Sequence, residues 1–328
     1  MKKNLKLAIS MLLVVLLVGL VGCSGDKGAK SGEKLEIGII QFAEHVALDA
    51  ARDGFIDALA DNGYKDGENI TIDYHNAQAD QNNLGTISDR FVANNVDLVL
   101  AIATPAAQSI AGKTTEIPIL GTAITDYVVA RLVDSNEAPG GNVSGTTDMN
   151  PIKEQIDLLV KLVPGAKTVG VLYNSSEDNS VLQAQIAKEA IEAKGLQYTE
   201  VTVSNTNEVQ QATQSIVSQC DAIYIPTDNT FASSMPLVHG VTSQSKTPVI
   251  CGESGMVNEG GLATLGINYY ELGYQTGLMA VRIFEEDAHP STMPIEAAKE
   301  FDFTINGKVA EEIGLEIPED LLEYVTEE

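Results

Sequence analysis

The sequence predicts an α/β protein of two Rossmann-like lobes, each with a parallel sheet, joined by a multi-strand hinge. Three observations carry this. From Leu35 onward, short β-branched runs alternate with helical patterns, the signature of βαβ units around a parallel sheet. The alternation then repeats: Gly63 and Gly195 close equivalent helices 132 residues apart, and Asp97 and Asp221 open equivalent strands 124 apart. Pro118 and Pro248 precede equivalent strands 130 apart. A near-constant offset means duplication at domain scale. Finally, 328 residues with 44% hydrophobic content suffice for two cores at roughly 100–200 residues per domain.

In the first copy, Leu35–Ile40 reads as a strand. Val46 to Asn62 reads as a helix because Ala47, Ala50, Ala51, Gly54, Phe55, Ala58 and Leu59 fall on one face. Strands follow at Ile70–Tyr74, Asp97–Ile102 and Ile117–Leu120, with helices at Asn82–Asn94 and Pro105–Ala111, the latter with proline in its first position. The second copy offers strands at Thr168–Leu172, Gln197–Val203, Ala222–Ile225 and Pro248–Ile250. Helices lie between them at Ser180–Ala193, Asn207–Ser218 and Phe231–Ser243. The Gly- and Asn-rich stretch Ala138–Gly145 reads as the crossover between copies. A helix at Tyr269–Glu286, a strand at Phe301–Ile305 and a terminal helix complete both lobes, giving three hinge crossings.

The N-terminus differs from the body. Lys2, Lys3 and Lys6 precede an apolar run from Leu7 to Val21, shorter than the ~20 residues that span a bilayer, so residues 1–22 read as a signal peptide. Leu20-Val21-Gly22-Cys23 resembles a bacterial lipobox, which implies cleavage before Cys23 and lipid on its thiol. Ser24 to Lys34 is a polar, glycine-containing tether. The expected organisation is 1–22 signal, 23–34 lipidated cysteine and tether, 35–145 with about 267–298 as one lobe, and 146–266 with about 299–328 as the other. Cleavage removes three lysines and takes the formal charge from −26 to −29. That charge argues against nucleic acid as a partner and against docking on anionic lipid, so the lipid alone would hold the chain to the membrane. Cys220 and Cys251 are expected to be free, buried thiols.

Ligands of parallel α/β sheets bind outside the carboxyl ends of the strands. Those ends nominate Gln41, Glu44, Thr104, Pro105, Thr125 and Asp126 in the first lobe. In the second they nominate Tyr173, Asn174, Ser175, Ser176, Thr227, Asp228, Asn229 and Glu253. No Lys or Arg lies in these segments, which disfavours phosphate or polycarboxylate ligands. The carboxylates Glu44, Asp126, Asp228 and Glu253 suit a ligand ammonium, and the helix N-termini at Thr104-Pro105 and Asn174-Ser175-Ser176 suit an α-carboxylate. Acid plus helix N-terminus is amino-acid recognition chemistry. Phe42, Tyr127, Tyr173 and Phe231 are candidate aromatic walls.

Catalysis is not expected. Gly252-Glu-Ser254-Gly255-Met256 lacks the last glycine of a nucleophile elbow, and His45 has no triad-like neighbours. The four histidines lack metal-ligand spacing, and no phosphate-binding glycine motif follows a strand. No catalytic residue, cofactor or metal is assigned.

The motifs Ala50-Ala-Arg-Asp-Gly-Phe55, Asn69-Ile-Thr-Ile-Asp-Tyr74, Ala101-Ile-Ala-Thr-Pro-Ala-Ala107, Gly170-Val-Leu-Tyr-Asn-Ser175, Tyr224-Ile-Pro-Thr-Asp-Asn-Thr230 and Gly252-Glu-Ser-Gly-Met256 carry a resemblance over most of the mature chain. They resemble the substrate-binding lipoproteins of bacterial ABC importers, in the subfamily that includes tryptophan and tyrosine binders with a type I periplasmic-binding-protein fold. One departure is Asp126-Tyr127, where many members have Asp-Pro; it would put Tyr127 at the pocket wall. The resemblance implies a monomeric, extracytoplasmic receptor that delivers an aromatic amino acid to a permease and its ATPase. The alternatives are a sensor module for a signalling receptor and a binder of another solute such as a sugar.

Overall fold

The computed structural model describes residues 34–298 and 301–326, so the signal peptide and the lipidation expected at Cys23 lie outside the described residues. Six strands form the first sheet: β1 (Leu35–Gln41), β2 (Ile70–Asn76), β3 (Leu98–Ile102), β4 (Ile119–Ile124), β5 (Val143–Thr147) and β11 (Glu296–Ala297). Their order is β11-β5-β4-β3-β1-β2, every neighbour parallel. Between them run α1 (Val46–Asp61), α2 (Gln81–Asn94) and α3 (Thr104–Ala111).

The second sheet contains β6 (Thr168–Asn174), β7 (Gln197–Val203), β8 (Ala222–Ile225), β9 (Val249–Cys251), β10 (Ala263–Gly266), β12 (Asp302–Asn306) and β13 (Val325–Thr326). They are ordered β13-β12-β10-β9-β8-β6-β7. Its helices include α4 (Ile152–Leu162), α5 (Asp178–Ala193), α6 (Val209–Ile216), α7 (Asn229–Ala232), α8 (Met235–Ser245) and α9 (Ser254–Asn258). After β10 the chain enters α10 (Tyr269–Glu286), and α11 (Gly307–Ile313) follows β12.

Two expectations need correction. The stretch Ala138–Gly145 is not wholly a linker, because Val143 onward is β5 and pairs with β4. The second sheet is not wholly parallel either, since β12 pairs with β10 antiparallel. The cause is the path of the chain. β10 leaves the sheet toward the first lobe, and β12 returns from it, so β12 enters at the end where β10 leaves. The chain thus passes between the sheets three times: after β5, after β10 and before β12.

Each lobe has its own core. Ile37, Ile39, Phe55, Phe91, Leu100 and Ile119 anchor the first, and Ile156, Leu159, Val171, Ile191 and Tyr224 anchor the second; all eleven are fully buried. Leu172, Ile223, Phe231 and Met256 form a further cluster on the other face of the second sheet. Cys220 and Cys251 are both free. Cys251 is buried and Cys220 only half-buried, so the expectation of two buried thiols holds for one of them.

Helix α10 begins beside the second crossing and lies against α1 of the first lobe at very close range. A Cβ on Gly273 would meet Ala51 O at 1.9 Å, and one on Gly54 would meet Tyr270 O at 2.0 Å. Backbone stands on both sides, so nothing flexible can yield. Gly273→Ala is therefore expected to cost about 2 kcal/mol through overpacking, which thermal unfolding would register as a loss of roughly 5 °C.

Candidate functional site

A cavity of about 290 Å³ lies where the two sets of strand ends meet. Its walls stand close together. The first lobe contributes His45, Ala47, Leu48 and Ala123. The second contributes Asn179, Thr227, Asp228, Asn229, Ala232 and Glu253. Asp148 and Tyr269 reach in from the first and second crossings. Among the described residues, no Lys or Arg lines it. Larger hollows occur, including an open groove of about 1680 Å³ along α10, but none of the nominated strand-end residues lines that groove. The interlobe cavity has the convergent polar groups expected of a binding site.

Four nominated residues line the cavity: Thr227, Asp228, Asn229 and Glu253. Thr125 stands beside it and accepts a 3.2 Å hydrogen bond from Gln183 Nε2 of the opposite lobe. The rest are placed elsewhere. Gln41 is buried and donates to Ala43 O and Asp49 at the end of β1. Glu44, Ser175 and Ser176 are exposed. Thr104 opens α3 with its hydroxyl buried and unpartnered among the described residues, and Pro105 is buried beside it. Asp126 accepts from the N–H groups of Val128 and Val129, a turn bond within its own loop. Tyr173 bonds Glu200 on an outer groove. Asn174 donates its N–H to Asp228 and its Nδ2 to Thr230.

The aromatic expectations change as well. Phe42, Tyr127 and Phe231 are all in the cores. The Tyr127 hydroxyl reaches Gly121 O and Thr146 O, both at 2.9 Å, and Gly121 and Gly145 leave the room it occupies. It is a strand-packing residue, and the aromatic ring on the cavity wall is Tyr269.

Local folding explains these placements. Asp228 and Glu253 each sit in extended backbone before a helix and accept its first N–H groups, Asp228 from Phe231 and Glu253 from Gly255 and Met256. They are N-caps, and both oxygens of each already accept a backbone N–H. Asp148 differs. It lies just past β5, 3% exposed; its Oδ2 accepts from the Tyr269 hydroxyl at 2.7 Å, and its Oδ1 has no partner among the described residues. His45 Nδ1 and Asn179 Oδ1 are in the same condition. Buried polar atoms left without a partner are uncommon and costly. Three of them facing one cavity mark it as the functional surface.

Burial dominates the electrostatics. It pushes Glu253 up to about 7, helped by the charge of Asp148 and opposed by the two backbone N–H groups. It pushes Glu177, which holds Asn229 and Thr230, up to about 7 with the charge of Asp228 adding to it. Burial also raises Asp148, against the hydroxyls of Tyr269 and, at longer range, Thr125. His45 is driven down to about 4 by burial, against its contact with Asn229, so its ring is neutral at pH 7. The ring keeps some exposure while its Nδ1 is covered.

Helix N-termini supply the opposite polarity. His45 precedes α1 in extended backbone and its side chain does not cap the helix, which leaves the first amides of α1 without intrahelical acceptors. Side-chain bonds join the lobes at Gln183 to Thr125, Gln108 Nε2 to Asp178 at 2.9 Å, and His45 Nε2 with Asn229 Oδ1 at 3.3 Å.

Known proteins agree with this architecture. A family model described as ABC transporter substrate binding protein matches residues 36–328. A tyrosine-binding protein of Clostridioides difficile is 42% identical over 314 residues, spanning 93% of this chain and 90% of that protein. The crystal structure of an ABC domain in complex with L-Trp from Streptococcus pneumonia is 40% identical, covers 90% of this chain and 100% of its own, and superposes with a TM-score of 0.86. A ligand-free, open substrate-binding protein with adhesive properties from Clostridium difficile is 44% identical over 89% of this chain and 98% of its own, yet its TM-score is 0.68. The TM-score is thus higher against the L-Trp complex than against the open, ligand-free protein, although sequence identity is slightly lower. Two α/β lobes, three crossings and a match over nearly the whole described body give one conclusion: the chain belongs to the ABC transporter substrate-binding protein family, with the periplasmic-binding-protein fold.

Proposed function

We propose that this chain is the extracytoplasmic receptor of an ABC importer and binds an aromatic amino acid, tyrosine or tryptophan, between its lobes. The observation that carries the reading is the free Asp148 Oδ1, buried in a cavity with no basic side chain. A ligand ammonium supplies the missing charge and hydrogen bond, and the uncapped amides of α1 receive the α-carboxylate. Asp148 thus takes the role that the sequence offered to Glu44, Asp126, Asp228 and Glu253. Apolar wall comes from Leu48, Ala123, Ala232 and the Tyr269 ring. The relatives that bind tyrosine and carry L-Trp support the aromatic class.

The lobes, 35–145 with 267–298 and 146–266 with the C-terminal segment, move as bodies about the crossings, and the closed form is presented to the permease and its ATPase. The receptor works as a monomer held at the membrane by lipid on Cys23. Cys23→Ser is expected to abolish incorporation of a labelled fatty acid and to release the chain from the membrane fraction.

Isothermal titration of the mature chain with L-tyrosine and L-tryptophan tests the ligand. One site per chain is expected for at least one of them. Absence of heat with all twenty amino acids, together with an unchanged melting temperature in their presence, defeats the assignment.

A further inference from the structure

The polar atoms left unsatisfied in the cavity share one character. Asn179 Nδ2 donates to Thr227 O at 3.0 Å and faces Ser180 Oγ at 3.3 Å, so its free Oδ1 is an acceptor. Asn229 gives its Nδ2 to Glu177 and therefore turns Oδ1 to His45, which places the histidine proton on Nε2. In the neutral ring Nδ1 is then a bare lone pair. Asp148 Oδ1 is an acceptor when the carboxyl is ionised. Each buried side-chain atom recorded without a partner on the cavity wall is an acceptor among the described residues.

A ligand that fits this surface brings donors at more than one end. Asp148, on the first crossing, and His45, at the N-terminus of α1, stand where the head group of an amino acid meets the α1 amides. Both are satisfied by one ammonium. Asn179 is on the second lobe, in the first turn of α5, and is the acceptor that remains. We infer that Asn179 Oδ1 reads a hydrogen-bond donor on the ligand's side chain, so that the cavity takes tyrosine or tryptophan and refuses phenylalanine. Phenylalanine fills the same apolar wall but leaves Asn179 buried and unpaired when the lobes close. A site built around a side-chain donor rejects the analogue lacking it far more strongly than an apolar wall rejects a lost methylene.

This rests on the amino-acid reading above, and the experiment separates the two. The wild-type chain is titrated with L-tyrosine, L-tryptophan and L-phenylalanine, and the same titrations are run on Asn179→Leu and Asn179→Asp. Phenylalanine is expected to bind wild type at least about 100-fold more weakly than the better of the other two. In Asn179→Leu that ratio is expected to fall below about 10, through loss of the tighter ligand. Asn179→Asp, which keeps an acceptor, is expected to preserve the preference. A purely structural role for Asn179 would weaken all three ligands alike and leave the ratio standing. A wild-type ratio under about 10 overturns the inference on its own, whatever the variants do. So does a ratio unchanged in Asn179→Leu. If none of the three binds, the amino-acid reading fails first and the inference falls with it.

Discussion

An Asp148→Asn variant is expected to bind its amino acid roughly 100-fold more weakly than wild type, about 2.7 kcal/mol, and to unfold at a higher temperature when no amino acid is present. Both effects come from one atom. Asparagine keeps an acceptor for the Tyr269 hydroxyl, which reaches Oδ2 at 2.7 Å, so the buried contact survives. The amide's other end then turns a donor toward the ligand ammonium in place of a carboxylate oxygen. A charge-assisted hydrogen bond is worth about 1.5–3 kcal/mol, and the opposed donors push the loss to the upper end of that range. Stability moves the other way because Asp148 is a buried carboxylate without a basic neighbour, raised by its burial. Removing such a charge relieves strain that the fold maintains for binding. Calorimetric titration and differential scanning of the same preparation measure the two quantities. Unchanged affinity would remove Asp148 from the ammonium site.

The second large effect is with pH. Glu177 and Glu253 are raised from 4.5 to about 7 in the folded chain, and Asp148 and Asp228 are also raised. A carboxyl group raised on folding holds its proton more tightly in the folded state. Its contribution is complete below the unfolded value and is lost as pH climbs through the folded one. The amino-acid-free protein is therefore expected to lose stability from about pH 4.5 to about pH 8, the window bracketing those values.

Each pH unit in that window is worth about 1.4 kcal/mol per group. Glu253 alone then accounts for on the order of 3 kcal/mol, a drop of roughly 5–10 °C in melting temperature. Glu253→Gln is expected to flatten the slope measurably. Affinity for a cationic head group runs opposite, rising through the same window as the carboxylates ionise, with protons released on binding. Titrations in buffers of differing ionisation enthalpy read that release directly. A melting temperature that rises between pH 5 and 8 would contradict the burial of these groups away from any cationic partner.

The architecture was legible because its signals are local. Val and Ile runs mark the strands, and Gly63 and Gly195 sit at positive φ where helices end, so duplication shows as a repeated offset. Strand β5 escaped notice because Val143-Ser-Gly-Thr-Thr147 is short and interrupted by Gly145, and its extended form comes from pairing with β4, not from propensity.

The site was legible only in part, for a related reason. Strand ends point to Asp228 and Glu253, and both do line the cavity, but a carboxylate just before a helix is claimed by that helix's amides. Asp148 follows the unrecognised strand, and its isolation depends on Tyr269, 121 residues away. Asn179 lies inside a helix and gains its meaning from Thr227 in a distant loop. No spacing in the chain announces a vacancy of hydrogen bonding. It exists only once the lobes meet.

The position of Asp148 on a crossing has a kinetic consequence. Residues near a pivot travel little while the lobe tips sweep through large arcs, so the carboxylate offers the same encounter point whether the cleft gapes or is shut. Capture and enclosure then become separate events. Stopped-flow traces should resolve a first phase whose rate climbs with amino-acid concentration and a second whose rate reaches a plateau. Asp148→Asn should slow or erase the first, whereas loosening the Gln108–Asp178 contact, far along the chain from any crossing, should alter only the plateau.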